Sequence, residues 1–136
     1  MFLFVSDSKY GQFVCGLIQR NQRNNGVHNN GACYWFSLAA NQNYDEAQIG
    51  LAELYSSGKM TMGGTKEQDM RESLRLRELA AEQGNDKAMM FIGYTHRDQA
   101  IALKNENHQE EAQRRFEEAS RWVGFAVESN YDGADR

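Results

Sequence analysis

Three stretches of the chain align with one another without gaps, and internal repetition of this kind restricts the fold more than any other feature. GQFVCGLIQ at 11–19, AQIGLAELY at 47–55 and AMMFIGYTH at 88–96 begin 36 and 41 residues apart. Each opens on a small residue (Gly11, Ala47, Ala88). A medium apolar residue follows four later (Cys15, Leu51, Ile92), then another small one (Gly16, Ala52, Gly93). Four-residue steps fall on one helix face, and small residues there let a neighbouring helix come close.

A second pattern follows each copy of the first: ACYWFSLAA at 32–40, SLRLRELAA at 73–81 and ASRWVGFAV at 119–127. Small residues recur at Ala32, Ser73 and Ala119, and bulky ones at Trp35, Leu76 and Trp122. Each copy closes on the pair Ala39–Ala40, Ala80–Ala81 or Ala126–Val127. The joints match too, as NYDEA at 43–47, GNDKA at 84–88 and NYDGA at 130–134. Asp45, Asp86 and Asp132 suit helix starts, as caps or in a first turn where the helix dipole favours negative charge. Gly84 suits the end of the helix before it.

These patterns predict helices over 8–20, 31–42, 45–57, 67–83, 86–104 and 108–129, with 1–5 as the tail of a preceding helix. Asn-Gly steps at 25–26 and 30–31 mark a turn-rich first loop. The loop at 57–68 accounts for the longer second period, and a third repeat with no Gly or Pro over 97–118 lengthens its helices. The chain has no proline, which permits long helices, and no alternating β-branched run that would make a strand. The expected class is all-α. Three consecutive aromatics, Tyr34–Trp35–Phe36, fan around about 200° of the helix circumference, so one faces outward. Tyr34 is the expected exposed member, and Trp35 and Trp122 are expected in the core.

The small–x3–apolar–small–x2–Tyr first helix, with a second helix of small–x2–aromatic–x3–Ala–Ala, resembles the Sel-one-like repeat, a relative of the tetratricopeptide repeat. Ala47, Leu51, Ala52, Tyr55 and Gly58 carry the first half of the likeness, and Ala32, Trp35, Phe36, Ala39 and Ala40 the second. It covers about residues 9–134. The loop motif is reduced to Gly26–Val27, Gly63–Gly64 are shifted, and His96 replaces a tyrosine. The resemblance implies a right-handed α/α superhelix, a solenoid of about three helix-turn-helix repeats in a single domain over 1–136. The repeats would lie at about 7–42, 43–83 and 84–129, with a partial fourth unit at 130–136. It implies a scaffold or adaptor of bacterial type that binds a protein or peptide on its concave surface. The inner stripe would be Tyr10, Phe13 and Leu17, then Glu46, Ile49 and Glu53, then Lys87, Met90 and Tyr94. An apolar strip flanked by charges has the form of a peptide groove, although the same residues could simply pack between helices. Some secreted members of the family carry a cysteine pair; Cys15 and Cys33 leave that pairing open here.

Charge and motif content narrow the function. With 15 Lys and Arg against 19 Asp and Glu, the formal charge is −4, which disfavours nucleic acid or an anionic membrane as partner. Arg71, Arg75 and Arg77 alternate with Glu72 and Glu78, as expected of a solvated helix face. Glu110, Glu111, Glu117 and Glu118 beside Arg114, Arg115 and Arg121 read the same way, each pair worth about 0.3 kcal/mol. The apolar start is too short for a signal peptide or a membrane span, so reduced thiols and a cytoplasmic location are expected. His28, His96 and His108 fall in no zinc or metalloprotease spacing, and a His108–Glu111 pair reads as a surface contact. Gly63–Gly64–Thr65–Lys66 lacks the first glycine of a phosphate loop and follows no strand. No metal, cofactor or catalysis is expected. The alternative to an adaptor is a bacterial immunity protein that neutralises a toxin by direct binding. Phe2, Leu3, Phe4, Trp122, Phe125 and Tyr131 lie near the open ends of the array, so either the ends self-associate, or the chain is part of a longer array, or residues such as Trp122 fold back as a cap; a monomer or weak homodimer is the expectation.

Overall fold

The computed structural model describes residues 7–21, 30–58 and 65–134, with the backbone alone for Asn30 and for 130–134. Six α-helices make up these residues, with no strand among them: α1 (Lys9–Asn21), α2 (Asn30–Asn41), α3 (Asp45–Ser56), α4 (Lys66–Glu82), α5 (Asp86–Asn105) and α6 (Gln109–Ala134). All boundaries lie within one residue of expectation except the last, where α6 runs on through the third joint. The expectations for 1–5, Gly26–Val27, His28 and Gly63–Gly64 lie outside the described residues.

Local chemistry sets these ends. Thr65 and Gln68 form a reciprocal capping box at the start of α4, Gln68 N–H donating to Thr65 Oγ1 (3.2 Å) and Thr65 N–H to Gln68 Oε1 (3.0 Å). Asn85 caps α5 by accepting from Ala88 N–H at 3.1 Å, which puts Asp86 in the first turn, not at the cap. α2 ends where Asn43 turns left-handed (φ 61°), with Asn43 N–H donating to Ala40 O and Tyr44 N–H to Ala39 O. Gly84, at the matching place in the next joint, has φ 88° and closes onto Ala81 O. Asn107 (φ 66°) ends α5 with the same pair of bonds that Asn43 makes.

The chain divides into two compact units, the first ending at Ala80 and the second beginning at Ala81. In the first, Phe36 is fully buried at the centre of a cluster with Ala32, Cys33, Leu51, Leu54 and Tyr55. Its ring lies between two glycines. A Cβ on Gly16 would come within 2.5 Å of Phe36 Cε1, and one on Gly50 within 3.1 Å of Cε2. These two residues let α1 and α3 close on the ring from either side. Ser73 joins α4 to α3 by donating to Ala52 O at 2.8 Å.

Two expectations are corrected here. Trp35 and Trp122 are only half-buried, and Phe36 takes the core place beside Trp35. Tyr34 is exposed as expected, edge-on to Trp35. Arg77 is buried, not on a solvated face: it stands at the repeat position of Phe36, and its guanidinium donates to Ser73 Oγ. Burial lowers its pKa, an effect Glu53 opposes. Arg75 does pair with Glu72 on the surface.

In the second unit, α5 and α6 pack side by side through small residues. Ala112, Ala119 and Ala126 on α6 are all buried and recur every seventh residue, a spacing that keeps one face toward a partner helix. Gly93 is pressed against α6, since a Cβ there would come within 2.9 Å of Val123 Cγ2 and 3.3 Å of Ala119 O. Ser129 Oγ donates to Gly84 O at 3.1 Å.

Candidate interaction site

The α5–α6 hairpin carries an open groove of about 520 Å³. Its floor is Gly93, Ala119 and Val123, and its apolar walls are Tyr94 and Phe116. Ser120 and Gly124 lie on the α6 side and Arg97 on the α5 side. Gly124 is exposed, and a Cβ built on it would meet nothing within 4 Å. The groove is therefore wide here because α6 lacks a side chain. Tyr94 is 45% exposed, with the Arg97 guanidinium 4.9 Å from its ring centroid. Arg97 also touches the Asp98 carboxylate at 3.1 Å, both side chains well exposed. Apolar walls with one cation at the lip have the composition of a protein-recognition surface, in which aromatics and arginine supply most of the binding energy.

The nine stripe residues divide among different environments. Phe13 and Leu17 pack against the buried cluster of the first unit; Phe13 stacks on Phe36 (5.7 Å between centroids) and meets Tyr44 edge-on (5.3 Å). Tyr10 is exposed, edge-on to Tyr44 at 5.2 Å, with Lys9 Nζ 5.3 Å from its ring centroid. Glu46 and Ile49 are half-buried, and exposed Glu53 pairs with Arg20 at 3.6 Å. In the second unit Lys87 is exposed, Met90 half-buried, and Tyr94 forms a wall of the groove. Arg97, Phe116, Ser120, Val123 and Gly124 were absent from the expected site. A comparison of the second helices by position points to two of them, because Val123 and Gly124 stand where the first copy has Phe36 and Ser37.

The titratable groups reflect burial. Cys33, a buried free thiol, has its pKa raised by desolvation, and so does the phenol of Tyr55, with Glu72 adding to the effect. Tyr44 is raised by desolvation and then by Glu46 and Asp45. Cys15 is also free and half-buried. His96 Nδ1 lies 3.2 Å from Arg115 Nη1, a contact from α5 to α6. Among the described residues, no three His, Cys, Asp or Glu side chains group so as to hold a metal ion, and no helix is long and apolar enough to cross a membrane. The chain matches no protein-family model and no curated protein.

Proposed function

We propose that the chain is a non-catalytic adaptor, an α/α superhelix of Sel-one-like repeats, that binds a partner protein in the α5–α6 groove. The carrying observation is the groove itself: aromatic walls, a floor of small residues, an exposed glycine that holds it open, and an arginine at its lip. The repeat reading is supported by burial at matched positions. Ala32, Ser73 and Ala119 are all buried, as are Gly16, Ala52 and Gly93. Gly16 meets Phe36 and Gly93 meets Val123, the same two positions in the first and third copies. Of the stripe, Tyr94 belongs to this surface, whereas Phe13 and Leu17 stabilise the first unit.

The test is selection of displayed random peptides on the intact chain, with counter-selection on Gly124→Leu. A Cβ there meets nothing within 4 Å and leucine favours a helix over glycine by about 0.8 kcal/mol, so the substitution adds bulk to the groove lining without loss of fold. Recovery of peptides that bind the parent and not the variant is the expected result. Repeated recovery of binders indifferent to Gly124→Leu, or of none, refutes the assignment.

A further inference from the structure

The first unit already contains a groove of the same construction, with its occupant in place. Gly16, Leu17 and Arg20 of α1 are the repeat positions of Gly93, Tyr94 and Arg97 of α5. Ala32, Cys33 and Phe36 of α2 are those of Ala119, Ser120 and Val123 of α6. In the first unit α3 fills the position. It sets Gly50 against the Phe36 ring, adds Leu51 and Leu54 to the buried cluster, and pairs Glu53 with Arg20 at 3.6 Å. The occupant there is an amphipathic helix with a small residue at one position, apolar residues one and four places later, and an acid three places later.

We propose that the α5–α6 groove takes a helix of this same pattern from a partner protein, with its acid on Arg97 and with a bulky residue where α3 has Gly50. This deepens the adaptor reading and rests on it. The bulk follows from the exchange of side chains between the two grooves. In the first unit the groove supplies a phenyl ring and the occupant supplies a glycine. In the second, Phe36 is replaced by Val123 and Ser37 by Gly124, so the occupant must supply the missing volume. A helix docked through apolar positions at this spacing is a recurrent mode of peptide recognition. The acid is favoured by Arg97, which stands at the position of Arg20 and is exposed at the lip. A second copy of this chain fits less well. α1 would bring Val14 to the bulky position but Leu17 to the acidic one, and it carries only the cations Lys9 and Arg20.

The probe is a fluorescein-labelled peptide of residues 43–58 of this protein, made as Gly50→Ala and as Gly50→Leu. Alanine and leucine differ little in helix propensity, so their difference reports side-chain burial in the groove. By anisotropy with the intact chain, the Leu peptide is expected to bind about tenfold more tightly than the Ala peptide, as for partial burial of three extra carbons. Gly124→Leu in the protein should abolish that binding. Arg97→Glu should weaken it about threefold to fivefold, the effect of one exposed ion pair. A Glu53→Lys change in the Leu peptide should restore affinity for Arg97→Glu and lower it for the parent. Equal affinity of the two peptides, binding that survives Gly124→Leu, or no binding at about 1 mM peptide overturns the proposal. Those results leave the adaptor reading standing if display recovers Gly124-dependent peptides of another pattern; if display recovers none, both fall. Concentration-dependent association of the chain alone that Val14→Glu abolishes and Gly124→Leu also abolishes would identify a second copy as the occupant and overturn the partner-helix proposal.

Discussion

Replacing Gly16 with alanine brings a favourable term and an unfavourable term into direct conflict. In a helix interior alanine is better than glycine by about 0.8–1 kcal/mol. At this site the added Cβ runs into Phe36, a ring that is fully buried. The ring cannot retreat freely, because Gly50 closes on its opposite edge, where an added Cβ would come within 3.1 Å of Cε2. Overpacking of a core typically costs about 1–3 kcal/mol, so Gly16→Ala should destabilise the first unit by about 1–2 kcal/mol in spite of the propensity gain. Phe36→Leu alone should cost about 1.5 kcal/mol through lost packing. In the Phe36→Leu background the clash is gone, and Gly16→Ala should become neutral or stabilising by up to about 1 kcal/mol. The cycle therefore predicts a coupling of about 2 kcal/mol between the two positions, read from urea unfolding by far-UV circular dichroism. Effects that add to within about 0.5 kcal/mol would refute the wedge between the two glycines.

Three other outcomes follow from the same contacts. Ser73→Val removes the bond to Ala52 O and strips the buried Arg77 guanidinium of an acceptor, so it should cost about 2–3 kcal/mol in the same urea assay. Gly84→Ala should cost about 1–2 kcal/mol purely from the left-handed backbone, since its Cβ would meet no neighbour, whereas Asn43→Gly at the matching position relieves the same backbone but removes an acceptor of the buried Gln48 amide, so it should destabilise by about 1 kcal/mol. The thiol of Cys33 and the phenols of Tyr44 and Tyr55 have folded-state pKa values raised above their ordinary ones, chiefly by burial. Their contribution is complete below the ordinary values and disappears as pH rises through the folded ones. Thermal midpoints should therefore fall from about pH 9 upward, and less steeply in Cys33→Ala.

The helices were legible because their signals are local and occur three times. The Asn43 and Gly84 turns, the Asn85 cap and the breaks between second and first helices follow from residue type at fixed offsets. Their partners in space were less legible. Arg77 looks solvated beside Glu72 and Glu78, yet it is buried with its guanidinium on Ser73 Oγ, a contact across one helical turn that charge alternation does not reveal. Trp35 looks like the core residue of its helix, but the close approach of α1 and α3 through Gly16 and Gly50 is built around Phe36, one position on. Tyr94, one of the expected stripe residues, lines the α5–α6 groove, but the groove coincides with missing bulk. Val123 replaces a phenylalanine and Gly124 a serine, and a hydrophobic pattern does not register lost volume at an exposed position. Phe13 and Leu17 were expected on an open stripe, but they pack on the cluster around Phe36.

The most direct measurement of the groove's role is an amide ¹H–¹⁵N titration of the intact chain with the unlabelled Gly50→Leu peptide. Glycine cross-peaks resolve well and sample both grooves. Saturable shifts are expected at Gly93 and Gly124, with Tyr94, Arg97 and Ser120 following and with Gly16 and Gly50 unmoved. Shifts confined to Gly16 and Gly50, as the peptide displaces α3 from the first unit, or no shifts at Gly93 and Gly124 at saturation, would contradict that role.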